Sequence, residues 1–189
     1  MVRQNRFDLA VWAALAMVML VTRTHSLSNV MHLPDTSLAS FLALGYLVRN
    51  RIAFAGLFGL AFAIDVVVIY VMGGSGFCFT PAYAMLLPAY GVMWAAGRLA
   101  ARKLPITASS IAPAALLVAL ATLVSELMSS GGFYFLGGRF EDLTLTGFAP
   151  RLLRYFPPTL FGTLVWASAA AAAVALVPAL RPAAREAAQ

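Results

Sequence analysis

The sequence predicts an all-α integral membrane protein of six transmembrane helices, and three observations carry that prediction. Of 189 residues, 62% are apolar and 11% charged, where soluble domains hold roughly 45–50% and about 25%. Mean hydropathy is +0.87. The apolar residues come in continuous runs rather than in the apolar–polar alternation of a membrane barrel. Such a composition excludes an ordinary soluble domain and also a disordered chain, which needs few apolar and many charged residues. At about 20 residues per spanning helix the length accommodates about six helices in one domain, residues 1–189.

The first span is expected over 7–22. Arg3 and Arg6 precede it in the manner of a secretory leader, but Thr22-Arg23-Thr24-His25 offers no small-residue cleavage site, so the run reads as a retained helix. The second, 33–48, is short, expected to be tilted or extended at its outer end, and stops at Arg49-Asn50-Arg51. The third, 52–71, is broken by Gly73-Gly74-Ser75-Gly76. The fourth covers 79–97 and ends at Arg98; Arg102-Lys103-Leu104-Pro105 is the next turn. The fifth covers 108–128, with Pro113 in its first turns, where proline is best tolerated. A long connection rich in glycine and aromatics, 129–150, leads to the sixth, 151–180. Pro157-Pro158 is expected to break or kink the outer end of that helix. The chain shows no internal repeat, and the alanine run 169–173 lies within the last span.

Orientation follows from lysine and arginine. With six spans both termini share one side, which holds Arg3, Arg6, Arg49, Arg51, Arg98, Arg102, Lys103, Arg181 and Arg185. The other side holds Arg23, Arg139, Arg151 and Arg154. Nine against four places both termini in the cytoplasm of a bacterial inner membrane. The same distribution explains a net charge of +6 by the membrane and not by nucleic acid. The outward connections, about 23–35, 72–80 and 129–150, then hold both histidines, the single cysteine and a cluster of aromatics, so function is expected on the outer face.

Cys78 follows Gly73-Gly74-Ser75-Gly76-Phe77 and precedes Phe79-Thr80-Pro81. As the only cysteine it forms no internal disulfide, and it builds no closed zinc site alone. A soft thiolate there suits one axial position on a metal already held in a macrocycle; the plain alternative is a small apolar residue packed at a helix end. His25 and His32 have a spacing that is no strong metal signature, and a solvated loop accounts for them equally. Asp65 lies inside the third span, where a carboxylate is costly and is by default functional or paired. Glu126, near the outer end of the fifth span, has the same reading more weakly, and Arg151 or Tyr83 are candidate partners for such a pair. Phe77, Phe79, Tyr83, Tyr134 and further aromatics crowd the outer face, as an interfacial belt or as the walls of a large flat ligand site. Arg151 and Arg154 are candidates for a phosphate or for amide carbonyls on that ligand. Ala10 and Ala14 form a small-xxx-small pair on the first helix.

Gly73-Gly74-Ser75-Gly76 matches the Gly-x-Ser-Gly of rhomboid proteases, but those need a histidine on a later helix and none occurs after His32. The phosphate-binding Gly-x4-Gly-Lys-Ser/Thr run and the Gly-x-Gly-x-x-Gly dinucleotide fingerprint are also missing.

This length, six spans, cytoplasmic termini and an outer ligand face resemble an S component of the energy-coupling-factor (ECF) transporters, the small vitamin-capturing subunits of bacterial uptake systems. Ala10 and Ala14 resemble the Ala-x3-Ala motif by which S components dock on the transmembrane coupling subunit. Within that group, Cys78 in Gly76-Phe77-Cys78-Phe79-Thr80-Pro81-Ala82-Tyr83, with Asp65 and Arg151, resembles the BtuM-type vitamin B12 components. The resemblance implies that cobalamin or a related corrinoid is the transported substrate and that the Cys78 thiolate ligates its cobalt. The macrocycle supplies four equatorial nitrogens, so one axial donor suffices, and a metal-bound thiol is deprotonated. His25 would be an alternative or opposite axial donor, with Asp65, Tyr83 and Arg151 as orienting groups and Phe77, Phe79 and Tyr134 as walls. Energy would come from ATPases on other chains, or the protein would equilibrate substrate slowly alone. Any enzymatic character would be limited to Cys78-assisted ligand exchange at cobalt, such as loss of cyanide. The rival readings are an S component for another vitamin or small molecule, and a membrane scaffold or assembly protein.

Overall fold

The structure, a computed structural model, describes residues 2–23, 34–48 and 50–180. Six α-helices lie among them: α1 Val2–Arg23, α2 Ser37–Leu47, α3 Arg51–Tyr70, α4 Leu86–Lys103, α5 Ile111–Leu136 and α6 Leu145–Leu176. Short 3₁₀ turns occupy Pro81–Met85, Ala108–Ser110 and Pro178–Leu180, and no strand occurs among the described residues. Three helical segments, Arg51–Tyr70, Ala108–Leu136 and Leu145–Leu176, are long and apolar enough to cross a membrane. Their outward faces carry Ile52, Leu153 and Leu176 at 76%, 75% and 81% exposure. A water-facing bundle does not expose so many large apolar side chains. The chain therefore has the build of a helical membrane protein.

The interior is organised around α2. Eight of its eleven residues are buried, and it packs against α1, α3, α4 and α6. Phe41 and Leu44 are fully enclosed, and Phe41 stacks on Tyr90 of α4 with centroids 4.4 Å apart. Glycine decides where α2 and α4 cross. A Cβ on Gly45 would stand 2.0 Å from the Trp94 carbonyl oxygen, and one on Gly97 2.0 Å from that of Leu42. Neither position admits a side chain, so the two backbones lie in direct contact, as small residues permit between membrane helices. At 11 residues, α2 rises only about 17 Å, well short of the roughly 30 Å hydrocarbon core. The expected span 33–48 is thus shorter as a helix. Asp35 takes the backbone N–H and the hydroxyl of Ser37 at 3.1 and 2.8 Å, which fixes the start of α2. Pro34 seats against Gly162 of α6, and its carbonyl accepts from the Trp166 indole at 3.0 Å.

Other boundaries also differ from expectation: α1 begins at Val2 rather than at 7, and α4 continues to Lys103 rather than ending at 97. The fourth helix starts at Leu86 after the 3₁₀ turn Pro81–Met85 rather than at 79. The fifth runs on to Leu136, because Gly131 and Gly132 let Phe148 and Met85 pack close against the helix. The sixth begins at Leu145 and continues unbroken through Pro150, Pro157 and Pro158. The expected connection 129–150 therefore contracts to 137–144, and the expected break at Pro157-Pro158 does not occur. Proline is tolerated in membrane helices where hydroxyls and neighbours satisfy nearby backbone groups. Here Thr159 and Thr163 donate to the carbonyls of Tyr155 and Thr159, both at 2.8 Å. Thr144 caps the helix by accepting from the Gly147 N–H at 3.1 Å.

Candidate functional site

The Cys78 end of the bundle holds two arrangements, a polar network and an aromatic shelf. The network centres on Arg23, the last residue of α1. Its Nε and Nη2 donate to the two carboxylate oxygens of Asp65 on α3, both at 2.6 Å. This is a bidentate, charge-assisted pair, the strong form of such contacts. Nη1 donates to the Ser37 hydroxyl at 2.7 Å and to the Tyr90 hydroxyl at 2.9 Å. Tyr83, in the turn before α4, donates to Asp65 Oδ2 at 2.7 Å. Asp35 lies 3.8 Å from Arg23 Nη1. The side chains of Arg23 and Asp65 are 10% and 20% exposed. Beside them Thr22 and Thr36 share a buried hydroxyl–hydroxyl bond of 2.8 Å. One guanidinium thus joins α1, α2, α3 and α4.

The costly carboxylate of Asp65 is therefore paired, with Tyr83, an expected partner, and with Arg23, which is not an expected one. Arg151 is not part of the network. Sequence reasoning counted Arg23 only as an outer-side charge. The available signal was a lone cation at a span end with a lone carboxylate inside another span, but nothing in the chain order says that residues 42 apart meet.

The loop carrying Cys78 is shaped by its own turns. Gly73 takes a left-handed φ of +73°, which ends α3 as glycine commonly does. A Cβ on Gly74 would lie 2.9 Å from the Val68 carbonyl oxygen, so the chain doubles back tightly on α3. The Phe79 N–H bonds to Gly76 O at 3.0 Å and Tyr83 N–H to Thr80 O at 2.8 Å. Cys78 is left exposed with a free thiol. Its two neighbours point into different ring clusters. Phe79 meets Phe62, Tyr70 and Tyr83 at 5.0–6.2 Å between centroids. Phe77 meets Phe133 at 5.6 Å, which leads on through Phe140 and Tyr134 to Phe148. Cys78 thus lies in the chain between two residues that join separate aromatic clusters, one mainly on α3 and one on the paired ends of α5 and α6.

Cations lie on the second cluster. The Arg151 guanidinium is 4.5 Å from the Phe140 ring and 5.5 Å from Tyr155, and Arg139 is 5.3 Å from Phe77. Stacking of this kind is the habit of arginine among rings. The Arg151 Nε is buried without a hydrogen-bond partner among the described residues. Tyr134 is 4% exposed and donates to the Asp142 carbonyl at 2.6 Å, so it holds the loop 137–144 against the helix ends. Glu126 is buried in α5 and accepts from the Ser130 hydroxyl. His25 and His32 lie outside the described residues. Ala10 and Ala14 are both exposed on α1, beside Leu9 and Met17 at 65% and 64%.

Among the described residues no three His, Cys, Asp or Glu side chains gather into a metal site. The arrangement presents one exposed thiol in a loop flanked by aromatic rings. At the opposite end an apolar cavity of about 580 Å³ opens between α2, α4, α5 and α6. No protein-family model matches the chain, and no curated protein matches it.

Proposed function

We propose that this protein captures cobalamin or a related corrinoid at the Cys78 end, on the periplasmic side of a bacterial inner membrane, and carries it across as an ECF S component of the BtuM type. In this reading all six helices lie within the membrane, with both termini cytoplasmic. One observation carries the proposal: the only cysteine is exposed, and its two chain neighbours, Phe77 and Phe79, each belong to a separate aromatic cluster. A corrin has a flat, largely apolar rim and a metal needing one axial donor, and the thiolate is a soft donor of the right kind. Its peripheral amides and phosphate meet the cations Arg139, Arg151 and Arg154, and the unpartnered Arg151 Nε has a hydrogen bond to give. Asp65 and Tyr83 act at one remove: their direct hydrogen bond fixes the turn after Cys78, while Arg23 holds the Asp65 carboxylate. Reorientation of the S component would move the substrate, with ATPases and a coupling subunit on other chains as the energy source and Ala10 and Ala14 as the docking pair.

A different substrate on the same architecture is favoured by the Arg23–Asp65 pairing, which consumes charges that could otherwise have contacted the ligand. The test is equilibrium binding of cyanocobalamin and hydroxocobalamin to purified protein, read by visible absorbance and mass spectrometry. Bound corrinoid with a spectrum altered by Cys78→Ser supports the cobalt reading, and a protein that binds no corrinoid sinks it.

A further inference from the structure

The cavity at the end opposite Cys78 has no part in corrinoid capture as proposed. Its walls are the end of α2 (Leu42, Leu47), the end of α4 (Gly97, Ala100), the start of α5 (Ala115) and the alanine-rich end of α6 (Ala171). Small side chains of α6 line much of the space. The cavity, about 580 Å³, is lined mostly by apolar side chains and opens at the surface of the bundle, so an apolar occupant suits it better than water. The mouth is of opposite character. Leu104, Pro105, Ile106 and Thr107 line it, and the exposed Arg102 and Lys103 immediately precede them. The hydroxyls of Thr107, Ser109 and Ser110 cluster there within 3.0–3.2 Å of one another.

We infer that this cavity is a binding site for one anionic phospholipid, with an acyl chain between α2, α4, α5 and α6 and its phosphate at Arg102 and Lys103. Charge complementarity selects the anionic headgroup. Juxtamembrane cations are each worth about 1 kcal/mol toward anionic lipid, so two of them predict a preference on the order of tenfold or more over a zwitterionic lipid of the same chains. Small walls select a slender chain over a bulky side chain. The site lies at the helix ends that carry the basic surplus, and its existence does not depend on what binds at Cys78.

The experiment titrates full-length protein in detergent with phosphatidylglycerol or phosphatidylcholine of identical acyl chains, reading the unfolding midpoint and the lipids retained in native mass spectrometry. Phosphatidylglycerol should raise the midpoint at roughly tenfold lower concentration than phosphatidylcholine. The double variant Arg102→Gln/Lys103→Gln should lose that preference while keeping its fold, since both side chains are exposed. Ala171→Phe, which fills the cavity, should abolish retention of both lipids. If Ala171→Phe does not fold, the comparison of wild type with the double variant decides alone. Equal response of wild type to the two lipids would overturn the inference. So would an undiminished preference in the double variant, or undiminished lipid retention in folded Ala171→Phe. A lipid-free dimer that Ala171→Phe dissociates would show that a second copy occupies the groove, and would overturn it too.

Discussion

Cys78 offers a donor that nothing in the described structure uses, and this is where a single atom decides the chemistry. Cys78→Ser keeps the size and polarity but replaces a soft donor by a hard, poorly ionised one. Partners one shell removed from a metal are already worth roughly 10–100-fold in affinity, so loss of the donor should weaken corrinoid retention by at least that. Cys78→Ala should behave alike, and unchanged spectra and binding in both variants would make the thiol a packing group. Asp65 has the contrasting role. Asp65→Asn leaves the buried Arg23 with only the more distant Asp35 carboxylate, 3.8 Å away, which should cost up to roughly 3–5 kcal/mol. A double variant, Arg23→Met/Asp65→Leu, should recover much of this in thermal unfolding. Additive losses would mean that the pair is not a unit. The sequence marked Asp65 as paired or functional, because a carboxylate inside an apolar span persists only when it is neutralised by a partner or put to use. It could not name Arg23, whose guanidinium is brought there by the crossing of four helices.

At the scale of elements, the contact of α2 with α4 is the least replaceable feature. Gly45→Ala and Gly97→Ala each push a methyl into a backbone carbonyl, which should destabilise by roughly 1–3 kcal/mol as overpacking does. Gly59→Ala on α3 meets nothing within 4 Å and should be neutral or stabilise by up to about 1 kcal/mol. Equal effects at the three positions would contradict the close crossing. Six helices were legible in the sequence because apolar runs between basic or glycine-rich breaks leave few alternatives. Their ends were less legible. Proline and paired glycine weigh against helix when read locally, yet α6 runs through Pro157 and Pro158, and α5 through Gly131 and Gly132, where Phe148 and Met85 pack against it. A helix of 32 residues rises about 48 Å, more than the hydrocarbon core requires, so its end projects beside the Cys78 loop.

For the whole molecule, the proposed topology puts Cys78 outside and Arg102 and Lys103 inside. A membrane-impermeant maleimide should label Cys78 in ligand-free cells from the periplasm, and labelling only after the cytoplasm is opened would invert the orientation. Ala10 and Ala14 lie on the surface of α1, away from the network and the aromatic clusters. Replacing either by Leu or Trp should reduce transport while corrinoid binding survives, if a coupling subunit docks there. Equal loss of both would leave the pair without a docking role. The proposed orientation rests on lysine and arginine counts, since charge asymmetry is a property of the chain itself. The apolar cavity was not legible in the sequence, because it arises between four helices whose lining residues are ordinary leucines and alanines.

Corrinoid capture through Cys78 stands or falls with the visible spectrum of purified protein after incubation with hydroxocobalamin and removal of free ligand. The expected outcome is a coloured protein whose cobalt bands change on replacing Cys78 by serine. A protein that stays colourless, or one whose bands are identical with serine at position 78, would contradict it.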